Sequence, residues 1–192
     1  MSFGGTLDGA SALTVSSVTG TTFGGAVGGT TALTSLSVTG AATLNGGAVT
    51  TTGSQTYSGS LALGANATLA STGSGNISLA AVTGAFGLTV NTAGTTAFNG
   101  TVSGLTAITT DSAGTNTLAA DLSASGAIAL NGATTLSGAS RSVTSTGGAV
   151  SFGSTLNGAS ALTVSSSSGA TFTGAVGGTT ALTSLSVTGP AT

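Results

Sequence analysis

Few side chains in this sequence can move a proton or hold a charge. The charged ones are Asp8, Asp111, Asp121 and Arg141, and there is no His and no Cys. General acid–base catalysis needs His, Lys, Tyr, Cys or a pair of carboxylates set close together. Asp111 and Asp121 lie ten residues apart, about half of the short period described below, so they are expected to face different sides. Arg141 has the option of pairing with one of them, and an exposed pair of that kind contributes at most about 1 kcal/mol. Asp8 aligns with Asn157 in a second copy of the same segment, and both precede Gly. Asn and Asp perform the same turn chemistry, so Asp8 reads as a corner residue. Calcium takes roughly 6–8 oxygen ligands, which three scattered acids do not supply, and the acid-bearing glycine-rich nonapeptide of calcium-binding solenoids is missing. The Gly-Gly pairs (Gly4-Gly5, Gly24-Gly25, Gly28-Gly29, Gly46-Gly47, Gly147-Gly148 and Gly177-Gly178) read as corners, since no Lys follows them to hold a phosphate. We therefore expect no catalytic, cofactor-binding or metal-ligating residue, and no enzyme.

The same inventory limits partners. Affinity for nucleic acid comes mostly from cationic contacts to phosphate, and Lys plus Arg total one, so no nucleic-acid partner is expected. The chain shows no unbroken apolar run of about 18 residues, so no membrane-spanning helix is expected. Met1-Ser2 is not followed by a basic segment and an apolar stretch, so no signal peptide is visible. The repeat already starts at Phe3, which leads us to expect a natural N-terminus upstream. Asn66-Ala67-Thr68, Asn76-Ile77-Ser78 and Asn99-Gly100-Thr101 match the glycosylation pattern, but Ser and Thr are so abundant that such matches arise by chance. The absence of Cys excludes disulfides and thiolate sites.

Charged residues make up 2% of the chain, against about 25% in a typical soluble domain. Disorder of the common kind needs high charge and low hydrophobicity, so this composition points to an ordered structure with little electrostatic reason to stay dispersed. The organisation is that of an array. Residues 3–43 return at 152–192, an offset of 149, with seven differences in 41 aligned positions. Self-similarity at a fixed period marks a repeat architecture. We read residues 1–192 as one continuous array: a long unit, 3–151, and the start of the next, 152–192, with no separate domains.

Inside the long unit runs a short period of about 20 residues, as in TTFGGAVGGTTALTSLSVTG (21–40) and AATLNGGAVTTTGSQTYSG (41–59). Apolar and small polar residues alternate in Leu13-Thr14-Val15, Leu36-Ser37-Val38, Leu61-Ala62-Leu63, Ile77-Ser78-Leu79, Leu88-Thr89-Val90, Ile128-Ala129-Leu130, Leu162-Thr163-Val164 and Leu185-Ser186-Val187. Period two means short strands with one buried face, and the density of Gly, Thr and Val disfavours helix. Corners recur as Leu7-Asp8-Gly9, Leu44-Asn45-Gly46, Phe98-Asn99-Gly100, Leu130-Asn131-Gly132 and Leu156-Asn157-Gly158. Asn-Gly also suits a two-residue hairpin, so a coil and an antiparallel meander compete. The near-exact cassette favours the coil. A membrane barrel would want aromatic girdles, and the chain has no Trp, one Tyr and six Phe. The expected fold is all-β: a parallel β-solenoid of about nine rungs of about 20 residues, some 43 Å long at about 4.8 Å per rung. Leu13, Val15, Leu36, Val38, Leu88, Val90, Leu162, Val164, Leu185 and Val187 are expected to face inward.

The segments 21–59 and GTTAFNGTVSGLTAITTD (94–111), with their "TF-x-G-x-V-G-G" and "L-x-V-T-G" phrases, resemble the repeats of filamentous-haemagglutinin-like proteins, the long passengers of two-partner and autotransporter secretion in Gram-negative bacteria. That resemblance implies a right-handed parallel β-helix, export in an unfolded state and display at the cell surface as a fibre. It carries over no catalytic residue.

Three functions follow for comparison. The first is a structural segment of a giant extracellular fibrous protein, acting as shaft or self-assembling filament. The second is a surface binding module with a glycan- or ice-binding face, which would need outward Thr-x-Thr repeated in register; here it is sporadic, as at Thr19-Gly20-Thr21. The third, a polysaccharide-cleaving β-helix, lacks the clustered acids and bases. We expect self-association end to end or laterally into fibres, because end rungs offer unpaired backbone groups and little charge opposes contact, and we expect any host or neighbouring-cell surface ligand to be bound through regions outside this sequence. If the 149-residue offset is a whole number of rungs, the last rungs present nearly the shape on which the first rungs stack.

Overall fold

The computed structural model describes residues 1–190. It contains no helix. All its strand pairings are parallel, so the chain is a β-solenoid of about nine turns with a spacing of about 20 residues. Three sheets form its sides. Sheet I has ten strands, from Ser2–Phe3 to Ser184–Thr188. Sheet II has seven, from Ala48–Thr51 to Ala170–Phe172, and single bridges through Leu7 and Val27 extend it downward. Sheet III has eight, from Ala12–Ser16 to Leu156–Asn157, and a bridge from Leu156 to Val176 extends it upward. The chain visits I, II and III in turn. No hairpin forms, so the Asn-Gly dipeptides turn the coil from one side to the next.

Alternation creates the core. In strands such as Leu61–Leu63, Ile77–Leu79 and Ile128–Leu130 the outer two residues are buried and the middle one is half-exposed. Inward residues then stack in columns. In sheet I, Leu61, Val82, Val102, Leu122, Val143 and Val164 follow one another in register. A fully buried Leu or Val contributes about 1.5–3 kcal/mol, and each rung also gives its neighbours a ladder of backbone hydrogen bonds. Stability of this kind is nearest-neighbour and quasi-one-dimensional.

Most of the expected inward set is buried: Val15, Leu36, Val38, Leu88, Val90, Leu162 and Val164. Leu13 is half-buried against the core. Leu185 and Val187 depart from the expectation, at 42% and 49% exposed. They stand in the correct columns, paired with Leu162 and Val164, and among the described residues no strand pairs with their other edge.

The long repeat does not close on whole turns. Ala12–Ser16 lies in sheet III and pairs with Ser35–Thr39. Its copy, within Ala161–Ser166, lies in sheet I and pairs with Ser184–Thr188. Thr21–Phe23 is in sheet I and its copy Ala170–Phe172 is in sheet II. Leu7 bridges in sheet II, and its copy Leu156 belongs to sheet III. The 149-residue offset is therefore seven turns and one third. Each part of the repeated segment thus builds two different sides, one side apart in the two copies.

Candidate functional site

The corners carry the side-chain chemistry. Backbone N–H groups of Thr30 and Thr31 donate to Asp8 Oδ1 at 2.8 and 3.1 Å. In the second copy Thr179 and Thr180 donate to Asn157 Oδ1 at 2.9 and 3.2 Å. A single acceptor oxygen holds the loop of the next turn, and either residue type supplies it. The two donors, Thr30 and then Thr31, keep the Asp8 carboxyl below its ordinary 3.8 against a small opposing effect of desolvation. The corner role expected for Asp8 thus takes the form of a rung-to-rung tie. Neither Asp8 nor Asn157 adopts positive φ: among non-glycine residues of the described chain only Ser74 does.

Other corners use the same economy. Asn131 Nδ2 donates to the Thr110 carbonyl at 2.7 Å, and Asn99 Nδ2 to Ser78 Oγ at 2.9 Å. Asn66 and Asn76 accept from the N–H groups of Gly87 and Thr95. The glycine after Asn answers a different need. A Cβ on Gly100 would come 2.5 Å from the Ala81 nitrogen, and one on Gly46 would enter the backbone of Gly25. Stacked turns touch backbone to backbone there, and only Gly fits.

The ionisable residues stay apart. Asp111 follows the strand Ala107–Thr110 on the edge between sheets II and III, while Asp121 precedes Leu122–Ala124 on the edge between III and I. Asp121 Oδ1 accepts from the Ser142 N–H at 2.9 Å. Arg141 turns to its own corner, where Nε donates to the Ser137 carbonyl at 2.6 Å and the guanidinium also reaches the Ser140 carbonyl. Among the described residues no cavity opens and no three His, Cys, Asp or Glu side chains gather. No described helix is long and apolar enough to cross a membrane.

The interior holds polar groups that the apolar pattern did not announce. Gln55 takes the place of Leu36 in an inward column of sheet III, which continues Ile77, Thr96, Asn116, Thr134 and Leu156. Its Nε2 donates to the Ala70 carbonyl at 2.8 Å and, at 3.3 Å, to the Val49 carbonyl and Thr51 Oγ1. Tyr57 donates to Gln55 Oε1 at 3.2 Å, and burial pushes its phenol far above the ordinary value of 10.0. Asn116 Nδ2 reaches the Gly132 carbonyl at 3.2 Å. Buried hydroxyls at strand ends, those of Thr51, Ser71, Thr92, Ser145 and Ser166, donate to glycine carbonyls at 2.6–2.9 Å. These partners satisfy buried polar atoms that would otherwise cost about 1–3 kcal/mol each. The signal that could have found them is the alternation itself, with polar residues in the apolar slot at Gln55-x-Tyr57 and Asn116-x-Leu118.

The outward columns are ladders of small residues. Sheet II shows Ala48, Thr68, Thr89, Thr109, Ala129, Ser151 and Thr171 in register. Sheet III shows Thr14, Ser37, Thr56, Ser78, Ala97, Thr117 and Thr135. Neither ladder is unbroken threonine. The arrangement presents similar, nearly uncharged sides all round. No family model matches the chain, and no curated protein or solved structure matches it.

Proposed function

We propose that this chain is a structural segment of a long extracellular fibrous protein, a stiff shaft displayed at the surface of a Gram-negative bacterium, with no catalytic role. The observation that carries this reading is the one-third-turn rotation between near-identical segments. Repetition here conserves the ability to stack and moves each outward side chain to a new side. A shaft gains length from that. A glycan- or ice-binding face would need one outward residue type repeated on one side, whereas the in-register ladders mix Ala, Ser and Thr and the second copy of the segment moves each residue to the next side. The resemblance of the cassettes to haemagglutinin-type repeats supports surface display. Rung stability that depends only on neighbours supports an extensible rod.

The test uses antibodies to the folded chain on intact and permeabilised source cells. The expected result is labelling of intact cells, removed by external protease. Labelling confined to permeabilised cells would overturn surface display.

A further inference from the structure

We propose that Asn99-Gly100 is a self-modifying corner, at which the side-chain amide of Asn99 is lost as ammonia and an aspartyl or isoaspartyl residue takes its place. Four corners of the chain carry Asn followed by Gly: Asn45-Gly46, Asn99-Gly100, Asn131-Gly132 and Asn157-Gly158. The reaction is internal to the dipeptide. The glycine nitrogen gives its proton to solvent and attacks Cγ of the asparagine. An N–Cγ bond forms, the Cγ–Nδ2 bond breaks, and Nδ2 leaves as ammonia with a proton returned by solvent. One water then opens the five-membered ring at either of its carbonyls. The balance is one water in and one ammonia out, with no change of oxidation state. Glycine favours the attack because it has no Cβ to obstruct its nitrogen, and the shared dipeptide supplies proximity.

The fold restrains the other three sites. The Gly46 N–H donates to the Phe23 carbonyl at 3.2 Å and the Gly158 N–H to the Thr180 carbonyl at 3.1 Å, which holds each nucleophile in place. Asn157 is pinned further, since Thr179 and Thr180 both donate to its Oδ1. Asn131 is half-buried, Gly132 is buried, and Asn131 Nδ2 donates to the Thr110 carbonyl at 2.7 Å. Asn99 lacks these restraints. It is exposed. The Gly100 N–H meets no protein acceptor among the described residues. The amide has one hydrogen-bond partner, Ser78 Oγ at 2.9 Å, in an exposed bond. Corners of this kind also receive the aspartyl product. Asp8-Gly9 stands in the first copy where Asn157-Gly158 stands in the second, and both hold the loop of the next turn through Oδ1. The isoaspartyl product is different, because it adds a methylene to the main chain. Gly100 lies so close to Ala81 that a Cβ there would come 2.5 Å from the Ala81 nitrogen. An added methylene therefore loosens the stacking of these two turns.

Ageing of the intact folded chain, followed by elastase digestion and mass spectrometry of the peptides, reads amide loss at each site. We expect loss at Asn99 first, about tenfold faster than at Asn131 or Asn157, as one or two retained hydrogen bonds at those sites would give. The rate should rise with pH, because the glycine nitrogen must lose its proton. In urea the four sites should react at similar rates, which separates the effect of the fold from that of the dipeptide. Hydroxylamine should cleave the aged folded chain between residues 99 and 100, where it traps the ring. Ser78→Ala removes the partner of the amide at an outward position and should speed the loss at Asn99 alone. Equal rates at the four sites of the folded chain, or an Asn99 that keeps its amide when folded and loses it in urea, would overturn the proposal. Cell-surface labelling is read separately, so either result leaves the shaft reading standing.

Discussion

Asp8 and Asn157 hold equivalent loops with the same atom, Oδ1, although one residue is an acid and the other an amide. The difference has a consequence for pH. The folded-state pKa of Asp8 lies below its ordinary value of 3.8 because Thr30 and Thr31 donate to the charged form. A depressed acid contributes stability above its unfolded pKa and loses it as pH falls through the folded value. We expect the melting temperature to drop as pH is lowered below 3.8, and Asp8→Asn to remove that part of the drop, since Asn serves the same corner at position 157. Thermal scans at a series of pH values down to about pH 2 check this; a variant with the same acid-induced loss as the parent would show that the tie does not matter. Asn157→Ala, which deletes the acceptor for two N–H groups, should cost about 1 kcal/mol, while Asn157→Asp should be near neutral at neutral pH.

A strand tells the core from the solvent by period two, and that is why so much of the fold was legible. Leu-x-Val in Leu162-Thr163-Val164 fixes which side is inward, and Val164 is buried while Thr163 is exposed. Val164→Asp should therefore cost several kcal/mol by burying an unpaired charge, and Thr163→Asp should be tolerated; the reverse order in chemical denaturation would mean the register is inverted. The corners were legible as corners because Asn, Asp and Gly cluster there. Their mechanism was not, because a sequence shows that Asn45-Gly46 turns the chain but not that the turn below lies against it. Gln55 stood in a slot that the alternation marks as inward, but what it bonds to was illegible for a related reason. Its partners at Ala70, Val49 and Thr51 come from the turn geometry, and no local pattern names them. Gln55→Leu leaves the Tyr57 hydroxyl without its acceptor and should cost about 1–3 kcal/mol, whereas Gln55→Leu with Tyr57→Phe removes both polar partners and should recover most of it. A double-mutant cycle by urea denaturation reads the difference.

At the scale of the molecule the rotation between copies says what kind of object this is. The unit spans seven and a third turns, so each outward residue of the repeated segment stands on one side in the first copy and on the next side in the second. The interior imposes a similar demand on each side: two inward positions per short strand, mostly apolar but polar in the Gln55, Thr96, Asn116 and Thr134 column of sheet III, and a neighbour above and below. Sides are therefore interchangeable, but turns are not divisible. This leads to a deletion test. Removing residues 82–101 takes out one whole turn: Val102 then falls over Leu61, where Val82 stood, and Ile108 falls over Ala67, where Leu88 stood. That chain should fold with the parent's β-sheet circular dichroism, shortened by about 4.8 Å in solution scattering. Removing residues 82–91 instead takes out about half a turn. The strand Thr95–Phe98 then follows Ile77–Leu79 too closely to complete a turn, and its inward column meets an edge instead of a side. Loss of cooperative melting is expected there, because a solenoid tolerates a missing rung and not a rung out of phase. Equal stability of the two deletions would mean that the three-sided register described for this chain does not hold it together.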